Sequence, residues 1–338
     1  DYLEGSADDG YTFDRNMAAF DDYELMPRYL VDVSKIDMTT KVLGQTLDWP
    51  VFLAPTGASR MWHPGAEPAA ARAAAKSGTL YTLSTVATTS IEGVAAASDG
   101  PKMFQIYVLR DKGLNEHLIE RCKAANFAAL CLTVDVPNLG NRERDLRNGF
   151  SSPPKLTART LASIAAHPRW LAGFARNPDL SFANITDWMA AQEMKPRSSQ
   201  AYVNAAFDPT VDWDRAADMI KAWNGPFAIK GILSVEDARR AVEIGATAVM
   251  ISNHGGRQLD GVPAPIDLIA DVADAVGDRI EVIMDSGVRR GTHVVKALAR
   301  GAKAVAIGRP YLYALAAGGE PGVDRMLALL RLEVRRAM

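Results

Sequence analysis

Short apolar runs rich in β-branched residues recur eight times along the chain, at residues 51–54, 80–84, 103–107, 129–135, 227–230, 248–252, 281–285 and 304–308. Helical segments, many of them Ala-rich, follow at 65–76, 90–97, 113–125, 235–244, 265–276, 293–299 and 322–338, with Ser234 and Thr292 expected as N-caps. Strands apolar on both faces and separated by helices make parallel sheets, because each crossover lays a helix on a sheet face. Eight such units close into a (β/α)8 TIM barrel. A doubly wound sheet is the competitor, but no Gly-rich dinucleotide turn follows the first strand. With 338 residues, 48% of them hydrophobic and 23% charged, the chain can bury one large barrel core. We therefore expect a single domain over 1–338.

Seven of the eight intervals fit this plan. The eighth, 137–226, is far longer than a βα loop requires and is expected over the barrel mouth as a lid or docking segment.

The net charge of −2 provides no general field for nucleic acid or an anionic membrane. Cys122 and Cys131 lack the spacing of a metal site, so no metal is expected, and a reducing compartment is the simplest inference. No uninterrupted apolar run of about 18 residues occurs, and no signal peptide marks the first residue, so we expect no spanning segment and a cytoplasmic location. The first residue is not Met, which leads us to expect a native start further upstream.

A barrel should carry its active site at the carboxyl ends of its strands. Polar residues stand there repeatedly: Pro55-Thr56-Gly57, Ser84-Thr85, Gln105 with Tyr107, Thr133 with Asp135, and Lys230. The run Ser252-Asn253-His254-Gly255-Gly256-Arg257-Gln258-Leu259-Asp260 follows the sixth strand. A neutral imidazole can remove a proton, and a guanidinium can grip a carboxylate through two hydrogen bonds, so the pair suits a small acid losing hydrogen. A histidine or arginine after a strand also often caps a turn or pairs with a carboxylate such as Asp260. Asp285-Ser286-Gly287-Val288-Arg289 and Ile307-Gly308-Arg309-Pro310 place glycines beside guanidiniums in the two loops where barrels often bind phosphate.

From Asp1-Tyr2-Leu3-Glu4-Gly5 through the His254 segment to Ile307-Gly308-Arg309-Pro310, the chain resembles the FMN-dependent 2-hydroxy-acid oxidising enzymes over essentially its whole length. That resemblance implies FMN as cofactor and an L-2-hydroxy acid as substrate. It gives His254 the role of base, Asp135 that of its carboxylate partner, and Arg257 and Arg142 that of carboxylate binders. Tyr2 and Tyr107 would bond the substrate carboxylate and hydroxyl region. Lys230 would lie beside the flavin pyrimidine edge, with Ser84, Gln105, Thr133 and Ser252 as ring contacts and Pro55-Thr56-Gly57 at the strand-one turn facing N5. Asp285 would bond the ribityl chain, and Gly287, Arg289, Gly308 and Arg309 the phosphate. Ser286 departs from a double glycine common in this loop.

Gly57 resembles the dehydrogenases of the family, where several oxidases carry Ala, which favours a quinone or other non-oxygen acceptor over O2. Val86 stands where glycolate oxidase has a large aromatic, and Leu139 would line the same pocket, so more room is implied than glycolate needs. The segments around Leu83, Phe104 and Ala228 look most like respiratory L-lactate dehydrogenases, making L-lactate the first expectation and mandelate or a longer 2-hydroxy acid the alternative. The family's frequent tetramers imply a homotetramer by analogy.

Within the insertion, Leu156, Leu161, Ile164, Trp170, Leu171, Phe174, Phe182, Trp188 and Met189 alternate with Arg159, Arg169, Arg176 and Lys195. This pattern is compatible with an interfacial helix making peripheral contact with the inner face of the cell membrane. The alternative is packing on the barrel or on a neighbouring subunit, in keeping with the breaks at Pro168 and Pro178. A flavin-binding barrel that has lost catalysis is a different class of reading, and such a protein is expected to have lost His254, Arg257 or Asp135; all three are present.

Overall fold

The computed structural model describes residues 2–137, 139–149, 157–194 and 199–338. Two strands, β1 (Thr40–Val42) and β2 (Gln45–Leu47), precede the eight expected ones. These eight are β3 (Val51–Thr56), β4 (Tyr81–Ser84), β5 (Lys102–Tyr107), β6 (Ala129–Thr133), β7 (Phe227–Ile232), β8 (Ala248–Ile251), β9 (Glu281–Met284) and β10 (Ala304–Ile307). β3 to β10 pair in parallel and in sequence order, and β10 closes on β3. The fold is a (β/α)8 TIM barrel.

The two faces of each strand bury different partners. Inside the barrel, Phe52, Leu80, Met103, Cys131, Met250 and Ile283 fill the centre. Val42, Leu43 and Leu47 of the antiparallel β1–β2 hairpin join that cluster and close its amino-terminal end. The Leu43 N–H, 2.6 Å from Glu281 Oε2, fixes the plug. Residues facing outward, such as Leu53, Phe104, Leu130 and Ile229, pack under the helices.

Local chemistry explains four of the helix starts. Ser90, Asp111, Asp212 and Ser234 each accept a backbone N–H from the first turn of the helix they precede. Thr292 does not cap its helix, which spans Gly291–Ala299 and starts one residue earlier. The start is tied from a distance instead, the Gly291 N–H donating to Glu333 Oε2 at 2.8 Å. The last helical stretch begins at Arg309 rather than near Gly322, running Arg309–Ala337 with a break in helical geometry at Gly318 and Gly319. Those glycines kink a stretch that resumes on the far side.

The insertion folds as separate short helices, Glu143–Arg147, Ala158–Ala165, Pro168–Arg176, Ala183–Ala191, Ser199–Ala206 and Trp213–Trp223. Ile185 and Met189 are buried in the barrel's outer core, and Phe182 and Trp188 pack against it. The Trp188 indole donates to Asp111 Oδ2 at 2.8 Å, and the Trp170 indole donates to the Met61 carbonyl at 2.8 Å. Among the described residues the apolar positions are thus spread over several short helices, and part of their aromatic content packs on the barrel. Leu161 and Leu171 remain 51% and 40% exposed. Leu156 and Lys195, and the side chains of Arg159, Arg169 and Arg176, lie outside the described residues. No described helix is long and apolar enough to cross a membrane.

Candidate active site

A cleft of about 590 Å³ opens at the carboxyl ends of the strands. It is lined by Tyr2, Pro55, Thr56, Gly57, Ser84, Val86, Tyr107, Thr133, Leu139, Arg142, Lys230, His254, Arg257, Asp285, Gly287, Arg289, Gly308 and Arg309. Of the residues singled out from sequence, Gln105, Asp135 and Ser252 are buried or nearly so just behind this lining, each bonded to a lining side chain or backbone group.

The loop after β8 turns sharply at His254, whose φ of 58° is left-handed and uncommon for a residue with a Cβ. The turn is held by the His254 N–H donating to Ser252 Oγ at 3.1 Å. It aims Nδ1 at Asp135 Oδ1, 2.9 Å away, just past the end of β6. Burial lowers the proton affinity of His254, and Lys230 adds to this, while Asp135 opposes it; the imidazole is thus neutral near pH 7. Burial alone would raise the Asp135 carboxyl, but His254 and Lys230 take it below its ordinary value. An ionised Asp135 accepts from Nδ1–H and leaves the lone pair on Nε2.

Lys230 ends in a nest of its own, its Nζ 2.9 Å from Ser252 Oγ, 3.4 Å from Asp285 Oδ2 and 3.8 Å from Asp135 Oδ2. Burial would strip its proton, but Asp285 and Asp135 outweigh burial and keep it charged. Ser286 adopts a φ of 79°, the left-handed region a glycine would occupy freely. Its hydroxyl offsets that strain by donating to Asp285 Oδ1 at 2.7 Å and accepting the Gly255 N–H at 3.0 Å.

The two carboxylate-gripping candidates converge around Tyr2. Arg257 lies over the Tyr2 ring, 4.7 Å from its centroid, and its Nη1 donates to the carbonyls of Tyr2 and Gly5 at 2.9 and 2.7 Å. Arg142 donates to the Tyr2 hydroxyl at 3.4 Å and to Gln258 Oε1 at 3.5 Å. Asp260 is not a partner of His254 or Arg257. It accepts from the backbone N–H groups of Gly10, Tyr11 and Thr12 at 3.1, 3.1 and 2.7 Å, tying down the start of the helix Tyr11–Ala18.

Three contributors escaped sequence reasoning. Trp62 stacks on Tyr2 with ring centroids 5.7 Å apart and walls the cleft. Gln258 donates to the Asp135 carbonyl at 3.2 Å while accepting from Arg142, linking the two halves of the site. Asp145 is a buried carboxyl in the lining. Only Gln258 carried a signal, as part of the His254 segment; the other two are set by tertiary contacts.

The site fits a flavin mononucleotide. Gln105 Nε2 and Thr133 Oγ1 are buried without hydrogen-bond partners, polar atoms suited to a heteroaromatic ring. Arg309 is pushed down to about 9 by burial, with Arg257 and Arg289 adding repulsion, a cationic cluster that an anion beside Gly287 and Gly308 would relieve. In the structure the Arg309 donors reach the carbonyls of Leu3, Gly255 and Gly5 at 2.7, 2.9 and 3.1 Å, and Arg289 Nη1 reaches the Val288 carbonyl at 2.8 Å. Both arginines line the cleft.

The sequence model of the FMN-dependent dehydrogenases matches residues 1–338. The chain belongs to that family. It is 42% identical over 342 residues to an L-lactate dehydrogenase of Xanthomonas campestris pv. campestris (strain B100), covering 100% of this chain and 87% of that protein. It is 41% identical over 338 residues to glycolate oxidase 1 of Oryza sativa subsp. indica, covering 100% and 86%. Among solved structures, the monotopic membrane protein (S)-mandelate dehydrogenase superposes with a TM-score of 0.94 at 38% identity, covering 99% of this chain and 88% of that one. This member of the FMN-dependent dehydrogenases is an FMN-dependent 2-hydroxy-acid-oxidising enzyme.

Proposed function

We propose that this enzyme oxidises L-lactate to pyruvate and passes the electrons to a quinone rather than to oxygen. The observation that carries the reaction is the 2.9 Å His254–Asp135 pair facing the same cleft as Arg142 and Arg257. Arg142 and Arg257 grip the substrate carboxylate, with Tyr2 between them. Tyr107, whose phenol is kept protonated by burial, donates a hydrogen bond to the hydroxyl end of the substrate. His254 Nε2 takes the proton, from the 2-hydroxyl or from C2, and ionised Asp135 stabilises the imidazolium that results. Bound FMN supplies the two-electron acceptor. Ser84, Gln105, Thr133, Ser252 and Lys230 would hold its ring, with Pro55, Thr56 and Gly57 against it, and Asp285, Gly287, Arg289, Gly308 and Arg309 its ribityl phosphate arm.

In this reading the chain works as one barrel domain, with residues 137–226 supplying a cover that lends Leu139 and Arg142 to the mouth. Four such chains would make the working oligomer. Exposed Leu161 and Leu171 would give the cover peripheral contact with the inner face of the cell membrane, near a quinone pool. Replacing both with Ser should lower partition onto lipid vesicles, and unchanged partition would sink the contact.

A second substrate reading is favoured by the apolar part of the cleft lining, which includes Met61, Trp62, Val86, Leu139, Phe182 and Val203. That apolar lining suits the aryl group of mandelate or a longer chain. Comparing kcat/KM for L-lactate, L-mandelate and glycolate separates the two. We expect L-lactate to lead, and a tenfold lead for L-mandelate would reassign the substrate. Reduced enzyme should reoxidise faster with a soluble short-chain quinone than with air; faster reoxidation in air would make it an oxidase.

A further inference from the structure

Asp145 lies on the short helix that follows Arg142, its N–H donating to the Arg142 carbonyl at 3.0 Å. It is 6% exposed, and its Oδ1 has no hydrogen-bond partner. A Cβ on Gly5 would stand 3.0 Å from Asp145 Oδ1 and 3.3 Å from Arg257 Nη1, so carboxylate and guanidinium meet at the same point of the amino-terminal strap. No ion pair joins Asp145 to an arginine among the described residues; burial raises its proton affinity above the ordinary carboxylate value, and the charges of Arg257 and Arg142 oppose that rise. A buried carboxylate left unpaired beside two half-buried guanidiniums is costly to keep.

We propose that Asp145 is a release residue, whose charge competes with the carboxylate of substrate and product for Arg142 and Arg257 and so lets the 2-oxo acid leave. The inference rests on the 2-hydroxy-acid reading of this site. Two guanidiniums closing on one carboxylate would hold product as firmly as substrate, which lowers KM without raising kcat. A fixed negative charge a few ångströms away weakens both complexes equally and keeps turnover from stalling. Asp145 touches neither reacting atom; it acts through the two arginines.

The test measures pyruvate binding to the oxidised, flavin-loaded enzyme by perturbation of the flavin absorbance, in wild type and in Asp145→Asn. The amide keeps the shape and removes the charge. We expect pyruvate to bind about three- to tenfold tighter in the variant, KM for L-lactate to fall with it, and kcat not to rise. A purely packing role predicts weaker binding, and weaker or unchanged binding overturns the proposal. The neutral analogue lactamide should bind both proteins alike; equal tightening of lactamide and pyruvate would also overturn it. Asp145→Glu should retain wild-type affinity, and Asp145→Ser reads the same quantity if the amide variant fails to hold flavin. A wild-type flavin that responds to neither pyruvate nor L-lactate would bring down the 2-hydroxy-acid reading as well, whereas a response that Asp145→Asn leaves unaltered removes only the role of Asp145.

Discussion

Gly231 packs directly against Asp135: with a φ of +107° next to the last residue of β7, a Cβ built on it would lie 2.7 Å from Asp135 Cβ and 2.9 Å from Asp135 Cγ. The strand departs from regular register there, between Lys230 and Ile232, and the glycine lets the carboxylate sit between His254 and Lys230. Gly231→Ala should displace Asp135, leaving flavin bound while kcat falls by about 100-fold, the scale of a misplacement near 1 Å. Flavin content and kcat of the purified variant check this.

The depressed proton affinity of His254 sets the acid limb of the pH profile. The active form is neutral, so kcat/KM rises as the proton leaves. Burial, the largest influence on this imidazole, places that midpoint below the ordinary histidine value of about 6.5. Asp135→Asn removes the group that favours the imidazolium, so the midpoint should move further down while kcat drops. A midpoint above the ordinary value, or an upward move in the variant, would contradict the arrangement.

Gly57 is constrained by its neighbour as well as by its place near the cofactor. A Cβ there would approach Val86 Cγ2 to 2.6 Å. Gly57→Ala alone should lose about 1–3 kcal/mol of stability through overpacking. Adding Val86→Ala should restore most of the loss, as measured by thermal unfolding of the flavin-loaded forms.

Flavin removal should expose the mutual repulsion of Arg257, Arg289 and Arg309. The unfolding temperature of the apoprotein should rise with added FMN, about 2.7 kcal/mol of stabilisation being expected at a hundredfold excess over Kd. Riboflavin, which lacks the phosphate, should give a clearly smaller rise. Equal rises would mean that the arginine cluster does not serve the phosphate.

The barrel was legible because its signal is local. Runs such as Ala248–Ile251 and Glu281–Met284 are apolar on both faces, and each is bounded by turn residues or a helix. The residues at strand ends followed from the geometry of the fold class. The β1–β2 plug was not legible, since three-residue strands with one inward face carry little pattern. Asp145 and Trp62 were missed for a different reason: neither is unusual in sequence, and each gains its place only where the amino-terminal strap meets the insertion. Thr292 misled because a threonine near a helix start is normally a cap, whereas Glu333, 41 positions later, does that work from another helix.

The central claim is that His254 removes the substrate proton while the rest of the cleft holds flavin and acid. Anaerobic addition of L-lactate to purified wild type and His254→Gln, followed by visible absorbance, tests it most directly. The account predicts that both proteins are yellow, that the wild-type flavin bands bleach, and that the variant's bands persist. Bleaching of the variant at the wild-type rate would contradict the assignment of His254, and a yellow wild type that no L-2-hydroxy acid bleaches would contradict the proposed reaction.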